Sequence, residues 1–371
     1  MIRETLRTLR ETHPGWGPQT LRLELSKALG CKVETLPSRA RIAAWLHEAQ
    51  LTRGYQRHTT LEEPSAPRRP TTPHEEWELD AQGVQSVQGV GAVTLINVAD
   101  GYSRLKVESW GCIGCRKPAT ADYQLACRRA FLRYGRPQRI SLDHDTVFYD
   151  STCASPFPSR LHLWLLALGI EVVFITQPPP TAHATIERTH QLLTQQALAG
   201  QTFEAAQAMQ PALDARREFL NTEYPSRTWQ GRPPLTACPQ AQHSLRSYTP
   251  ETEIALLDLS RIYAYLARQH WFRQVSQQGQ FSLEGYLYYL EATWARQTIE
   301  LTFDPDTQEF VCTSADGQRT HRLPAQGLRQ QDLVGELPPW DKFPVYQRRL
   351  PLTPATVRED VLYQDQTGMI L

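Results

Sequence analysis

The chain has 371 residues, 40% of them hydrophobic and 21% charged, with 39 basic and 39 acidic side chains that cancel. That is more than one ordinary domain needs, with enough apolar material for a sizeable core. No apolar run approaches the roughly 20 residues of a membrane helix, and the longest, Leu161 to Ile175, is broken by His162, Gly169 and Glu171. The start, Met-Ile-Arg-Glu-Thr, lacks the apolar core of a signal peptide, so a cytoplasmic protein is the expectation. Seven scattered cysteines are an odd number and a poor disulfide framework. Cys112 and Cys115 form a CxxC with no second pair at a zinc-like distance, so two half-buried thiols near a strand end are expected.

Residues 1–53 read as helical. Ile2, Leu6 and Leu9 repeat at three to four, and Leu21, Leu25 and Leu29 share a second helical face after Pro18 and before the natural stop Gly30. Ser38 is the expected N-cap of a third helix with Ile42, Trp45 and Leu46 on its apolar side. Two short helices joined by a short connection form a helix-turn-helix, and its second helix presents Arg39, Arg41 and His47 outward. Residues 1–70 hold twelve Lys/Arg against seven Asp/Glu, a net +5, which leaves −5 for the rest. A basic module on a more acidic body suits nucleic-acid binding at one end and metal binding further along. Residues 54–74, with Pro64, Pro67, Pro70 and Pro73, read as a linker.

From Glu76 the pattern changes. Trp77 to Asp80 opens a strand that Asp80 is expected to end, Ala92 to Val98 is a nearly continuous apolar strand, and Leu105 to Trp110 a third. A helix is predicted over Thr120 to Tyr134, a short strand over Arg139 to Leu142, a helix over Leu161 to Leu168 and a buried strand over Ile170 to Ile175. A helix from about Ala182 to Ala199 follows the Pro178–Pro180 run, and another spans Phe203 to Leu220. Three strands followed by alternating helix and strand predict a mixed sheet with helices packed on it. Beyond Leu259, short strands at 272–275, 280–283, 286–290, 298–303, 309–313 and 319–323 predict a small β-barrel.

Three carboxylates stand where a metal site can be built. Asp80 lies on the first strand, Asp143 follows the short strand, and Glu187 lies on the helix after the proline run. Mg²⁺ takes a few carboxylates plus water and phosphate oxygens, and two such ions serve in-line phosphoryl displacement. Composition alone does not select these three from 39 acids.

Five segments in order select them. "EEWELDAQG" (Glu75–Gly83), "LINVADGYSR" (Leu95–Arg104), "RYGRPQRISLDHDTVF" (Arg133–Phe148), "QPPPTAHATIERTH" (Gln177–His190) and "LNTEYPSRTWQGRPPLTAC" (Leu220–Cys238) resemble bacterial insertion-sequence transposases of the retroviral-integrase superfamily, with a DDE triad. The resemblance spans about residues 1–325 and implies Asp80, Asp143 and Glu187 as catalytic residues and ligands of two Mg²⁺ or Mn²⁺ ions. It implies an α/β fold: a ribonuclease-H-like mixed sheet at 75–240, an N-terminal helix-turn-helix at 1–53, an SH3-like small barrel at 260–325 and a tail at 326–371. The implied partners are the element's DNA ends and target DNA, with a homo-oligomer assembled on them.

The pattern departs from the family in places. His144-Asp145 replaces the usual Asn-Gly, so Asp145 competes with Asp143 as the second aspartate. His183-Ala184 replaces another Asn-Gly, and 43 residues lie between Asp143 and Glu187, more than the family norm. A catalytically inactive, domesticated copy that only binds DNA is the alternative these departures leave open. On the helix, residues 183, 187, 190 and 191 share one face, while Arg188 points elsewhere, toward a DNA phosphate. His183 and His190 are expected to be ordinary polar surface.

Overall fold

The computed structural model describes residues 2–52, 69–142, 155–174 and 184–335. Asp143, Asp145, His183, the 178–180 proline run, most of the expected linker and most of the expected tail lie outside them. Among the described residues no helix is long and apolar enough to cross a membrane. The helices in chain order are α1 Ile2–Thr12, α2 Pro18–Leu29, α3 Arg39–Glu48, α4 Thr120–Tyr134, α5 Arg160–Ala167, α6 Ala184–Leu193, α7 Met209–Thr222, α8 Pro234–Ala237, α9 Glu253–Leu256, α10 Leu259–Leu266 and α11 Gln330–Val334.

Five strands make one mixed sheet in the order β3-β2-β1-β4-β5. They are β1 Glu76–Val87, β2 Gly91–Asp100, β3 Lys106–Ile113, β4 Arg139–Leu142 and β5 Glu171–Phe174. β2 and β3 pair antiparallel, β4 and β5 parallel. Three consecutive strands side by side, followed by strands alternating with helices, are the ribonuclease-H-like arrangement. By compactness the chain divides into two units, Met1–Thr72 with Glu78–Pro118 and Pro178–Pro239, and Pro73–Trp77 with Ala119–Gln177 and Gln240–Leu371.

In the first unit, β2 is buried nearly end to end, as its apolar run requires. Val93 and Leu95 pack against Met209 and Leu213 of α7 and against Ala197 and Leu198. The N-terminal helices have their own small core of Leu6, Trp16, Leu21, Ile42 and Leu46. Ser38 caps α3, its hydroxyl accepting from Arg41 N at 3.3 Å, and leaves Arg39, Arg41 and His47 exposed. These helices also lean on the core of the unit. Leu23 packs against Leu192, Leu193, Phe219 and Leu220. Glu24 pairs with Arg216 at 3.3 Å and Lys27 with Glu223 at 2.7 Å.

In the second unit the rings of Trp77, Trp164 and Tyr248 surround Phe131 at 5.6–5.9 Å. A buried ion pair sits beside them, Arg128 Nη2 to Glu253 Oε1 at 2.7 Å. The C-terminal β region holds β6 Trp271–Gln274, β7 Gln280–Leu283, β8 Tyr286–Tyr289, β9 Thr298–Asp304, β10 Glu309–Ser314 and β11 Thr320–Pro324. It forms a four-stranded sheet, β11-β10-β9-β6, and a separate β7-β8 hairpin. Phe310 joins them through edge contacts to Trp271 at 6.3 Å and Tyr288 at 5.9 Å.

Three expectations are corrected. β1 does not end at Asp80 but runs on to Val87, half-exposed, so Asp80 sits mid-strand. The helix predicted from Phe203 begins as α-helix only at Met209, after a 3-10 turn at Ala206–Ala208, because Phe203 N donates to Gln88 O at 3.1 Å and ties the start of the segment to a strand partner. The helix predicted to run through Ala199 changes character at Thr194, where a π-helical turn, Thr194–Leu198, replaces the α-helix.

Candidate active-site cleft

Residues of like parity on a strand share a face, and residues four apart on a helix share a face. β1 and α6 exploit both periods. Glu78 Oε2 accepts from Ile186 N at 2.9 Å. Two residues on, Asp80 Oδ2 meets His190 Nε2 at 3.0 Å. Two further, Gln82 Oε1 accepts from Thr194 Oγ1 at 2.8 Å. Each step is about 6.6 Å along the strand and about 6.0 Å along the helix, so three rungs stay in register. The first rung also places a buried carboxylate on the positive, otherwise unsatisfied first turn of α6.

This ladder puts Asp80 and Glu187 on one cleft of about 500 Å³, with His190, Gln191 and Thr194 among its other walls. Asp80 Oδ1 accepts from Ala81 N at 2.8 Å, and its side chain is 30% exposed. Glu187 is exposed. Each carboxylate oxygen has two lone pairs, so Asp80 keeps acceptor capacity facing solvent, and Glu187 adds an oxygen donor. Oxygen donors around an open space fit Mg²⁺ or Mn²⁺. Among the described residues no three His, Cys, Asp or Glu side chains gather into a metal-holding group. Asp143 and Asp145 both lie outside the described residues.

Behind Asp80 the order continues. Asn97 on β2 is fully buried, and its Nδ2 lies 2.7 Å from His190 Nδ1. An amide N–H can only donate, so Nδ1 accepts and Nε2 carries the proton that goes to Asp80.

The start of α6 is held from the side by the "DGYSR" segment. Asp100, buried, accepts from Ser103 N at 2.8 Å and from the Ser103 hydroxyl, which closes the turn. Arg104, at φ 66, then reaches Thr185 Oγ1. Trp229, from the "RTWQG" segment, donates to Ser103 O at 2.8 Å and meets Tyr102 edge-on. Lys106 is buried next to this turn. Desolvation, then Arg104 and Arg188, push its ammonium down to about 8, and Glu78 opposes them.

Of the residues expected from sequence, Asp80 and Glu187 come together in the cleft. Arg188 is exposed and donates to Gln191. Arg39 and Arg41 are exposed on α3, and Arg41 lies 5.8 Å over the Trp45 ring. His190 is not polar surface: it is buried and bonded on both nitrogens. A comparison of strand positions 78, 80 and 82 with helix positions 186, 190 and 194 was the signal that could have found it. Among the described residues neither cysteine of the CxxC is in a disulfide; Cys112 is buried and Cys115 half-buried.

No protein-family model and no curated protein matches the chain. Among solved structures, the catalytic core domain of BIV integrase aligns at 16% identity over 45% of this chain and 95% of that chain, TM-score 0.33. The simian T-cell lymphotropic virus intasome in complex with PP2A regulatory subunit B56 gamma aligns at 13% over 82% of this chain and 96% of that chain, TM-score 0.37. The HTLV-2 integrase catalytic core domain in complex with magnesium, in dimeric form, aligns at 14% over 45% and 96%, TM-score 0.32. The fold class of this chain stands on its own strand order.

Proposed function

We propose that the chain is a DNA transposase or integrase, a polynucleotidyl transferase that uses Asp80, Glu187 and Asp143, the residue after β4. The observation that carries this reading is the cleft shared by a strand-borne Asp80 and a helix-borne Glu187, held in register by three hydrogen bonds. The five motif segments in order support it.

Two divalent ions, when bound, activate the attacking oxygen and stabilise the leaving one. The chain supplies the rest. Asp80, fixed by His190 and Ala81, presents its remaining lone pairs to the cleft. Glu187 and Asp143 complete the oxygen set. Water first attacks a phosphodiester at the element's end: a new P–O bond forms to the water oxygen, the bond from phosphorus to the 3′-oxygen breaks, one proton ends on that oxygen to give the 3′-hydroxyl, and the other leaves to solvent. That hydroxyl then attacks a target phosphodiester, again exchanging one P–O bond for another. Neither step passes through a covalent protein intermediate, so positioning and charge neutralisation carry the rate. In this reading residues 1–53 bind DNA through Arg39 and Arg41, Arg188 contacts a phosphate, 75–240 form the catalytic core, 260–325 a small barrel, and the working form is a homo-oligomer on DNA.

The test is incubation of the purified chain with duplexes made from the DNA flanking its gene, with Mg²⁺ or Mn²⁺. The expected products are cut ends and joined strands, absent with a chelator and absent in Asp80→Asn. A chain that binds these duplexes but yields no product with either metal is the inactive DNA-binding copy instead.

A further inference from the structure

We propose that Trp16 is a positioning residue for the cleft: the N-terminal module docks on the core of its own chain and holds the π-helical turn Thr194–Leu198 that forms one end of the cleft. The docking stands on geometry alone; its importance for catalysis rests on the function proposed above.

The last carbonyls of a helix have no partner within it. In the π-helical turn the bonding pattern is wider, with Ala199 N donating to Thr194 O at 2.8 Å. Gln196 O, inside this turn, accepts the indole N–H of Trp16 at 3.0 Å. A buried Trp N–H needs such an acceptor, and Trp16 is 6% exposed. One side chain thus belongs to two structures, the small core of the N-terminal helices and the end of α6.

The surroundings of Trp16 fit this docking. A Cβ at Gly15 would lie 1.4 Å from Gln195 O, so the backbones meet at a distance that only glycine permits. On the other side a Cβ at Gly200 would lie 2.5 Å from Pro14 Cδ. Arg216 of α7 covers the Trp16 ring at 4.5 Å, and its guanidinium pairs with Glu24 of α2. His13 stacks on Trp16 at 3.7 Å and meets Gln201 Nε2 at 2.8 Å.

What the dock grips is the functional end of α6. Thr194 and Gln195 line the cleft with Asp80 and Glu187, and Thr194 is the third rung to β1. A displacement of the module therefore reaches Gln82, two residues from Asp80, through two hydrogen bonds and one helical turn.

Hydrogen exchange on the full-length chain, free of metal and DNA, tests this on the core side with changes made on the module side. Trp16→Phe keeps an aromatic side chain but removes the indole N–H and part of the ring surface. Gly15→Ala keeps the indole and forces the backbones apart. Both variants are expected to speed exchange of the amides at 194–199, roughly five- to tenfold for the loss of one hydrogen bond, while amides of α2 and α3 keep their protection. Unchanged exchange at 194–199 in Gly15→Ala, with the module folded, overturns the proposal. Accelerated exchange in a chain whose wild type neither cuts nor joins DNA upholds the docking and sinks the proposed function instead. Where the wild type is active, mixing Gly15→Ala with Asp80→Asn chains is expected to restore nothing beyond Gly15→Ala alone. Restoration would show that a module serves its partner's core and would end the claim of docking in cis.

Discussion

Asp80 and His190 are joined by a hydrogen bond of 3.0 Å between a carboxylate in mid-strand and an imidazole on the helix facing it. The ring cannot turn away, because Asn97 occupies its other nitrogen at 2.7 Å. His190→Ala is expected to lower the single-turnover rate about 10–100-fold, the usual scale for partners of a metal ligand. DNA affinity should stay as in the wild type. A rate equal to wild type would make the bond irrelevant to the chemistry.

The carboxylates themselves give an all-or-none prediction. Asp80→Asn and Glu187→Gln should each reduce cutting and joining to background while DNA binding persists, since each removes charge and little packing. Asp143→Asn should do the same and Asp145→Asn should not. The reverse result would assign the second aspartate to Asp145.

Replacing both Arg39 and Arg41 by Ala should weaken DNA binding and make it less sensitive to salt. Two lost phosphate contacts flatten the slope of log affinity against log salt by about 1.8. Gel shifts across a salt series measure this, and an unchanged slope would move the DNA-binding face away from α3.

Acid should weaken the second unit through two histidines. His74 Nδ1 accepts from Trp77 Nε1 at 3.1 Å, and its Nε2 faces Ala241 O at 3.1 Å, so a second proton has no place. Burial pulls its pKa from 6.5 to about 4, and burial does the same to His162. A depressed histidine means that the unfolded chain takes up protons first as pH falls. The stability is complete above 6.5, declines between 6.5 and 4, and levels off below. Each histidine accounts for up to about 3 kcal/mol at the acid end. Urea midpoints measured from pH 7.5 to 4 should fall through that window, and His162→Phe should flatten the fall.

Glu253 gathers several buried donors in that unit. It receives Arg128, Trp164 Nε1 at 2.8 Å and the Tyr248 hydroxyl. Burial and the neighbouring carboxylate push the Tyr248 pKa up, so it remains a donor. Glu253→Ala leaves a buried guanidinium without its anion and should cost about 3–5 kcal/mol, read as a lower denaturation midpoint.

Much of this was legible in the sequence because it follows from period and punctuation. α4 matches its predicted bounds, and six short strands after Leu266 fall within a residue or two of their expected places. The exposed half of β1 was missed because Gln82, Gly83 and Gln85 look like loop residues when neighbouring strands are unknown. The extended start at Thr202 and Phe203 was missed because its partner, Gln88, lies over a hundred residues away. Asp80 and Glu187 were singled out by motif and line one cleft, whereas the contacts of His190, Asn97 and Trp16 were not legible. Their roles depend on a strand, a helix and an N-terminal turn meeting in space, and no local pattern records that.

The three rungs between β1 and α6 work as a vernier, two scales of slightly different pitch read against each other. Such a device tolerates blunting of any one mark but not a shift of either scale. A single substitution at Glu78, Gln82 or Thr194 leaves two hydrogen bonds to keep the alignment. Insertion or deletion of one residue between Ile186 and Thr194 turns everything beyond it by about 100° and breaks every later rung at once. Over evolutionary time this stretch is therefore held to a fixed length more strictly than Glu78, Gln82 and Thr194 are held to their residue types.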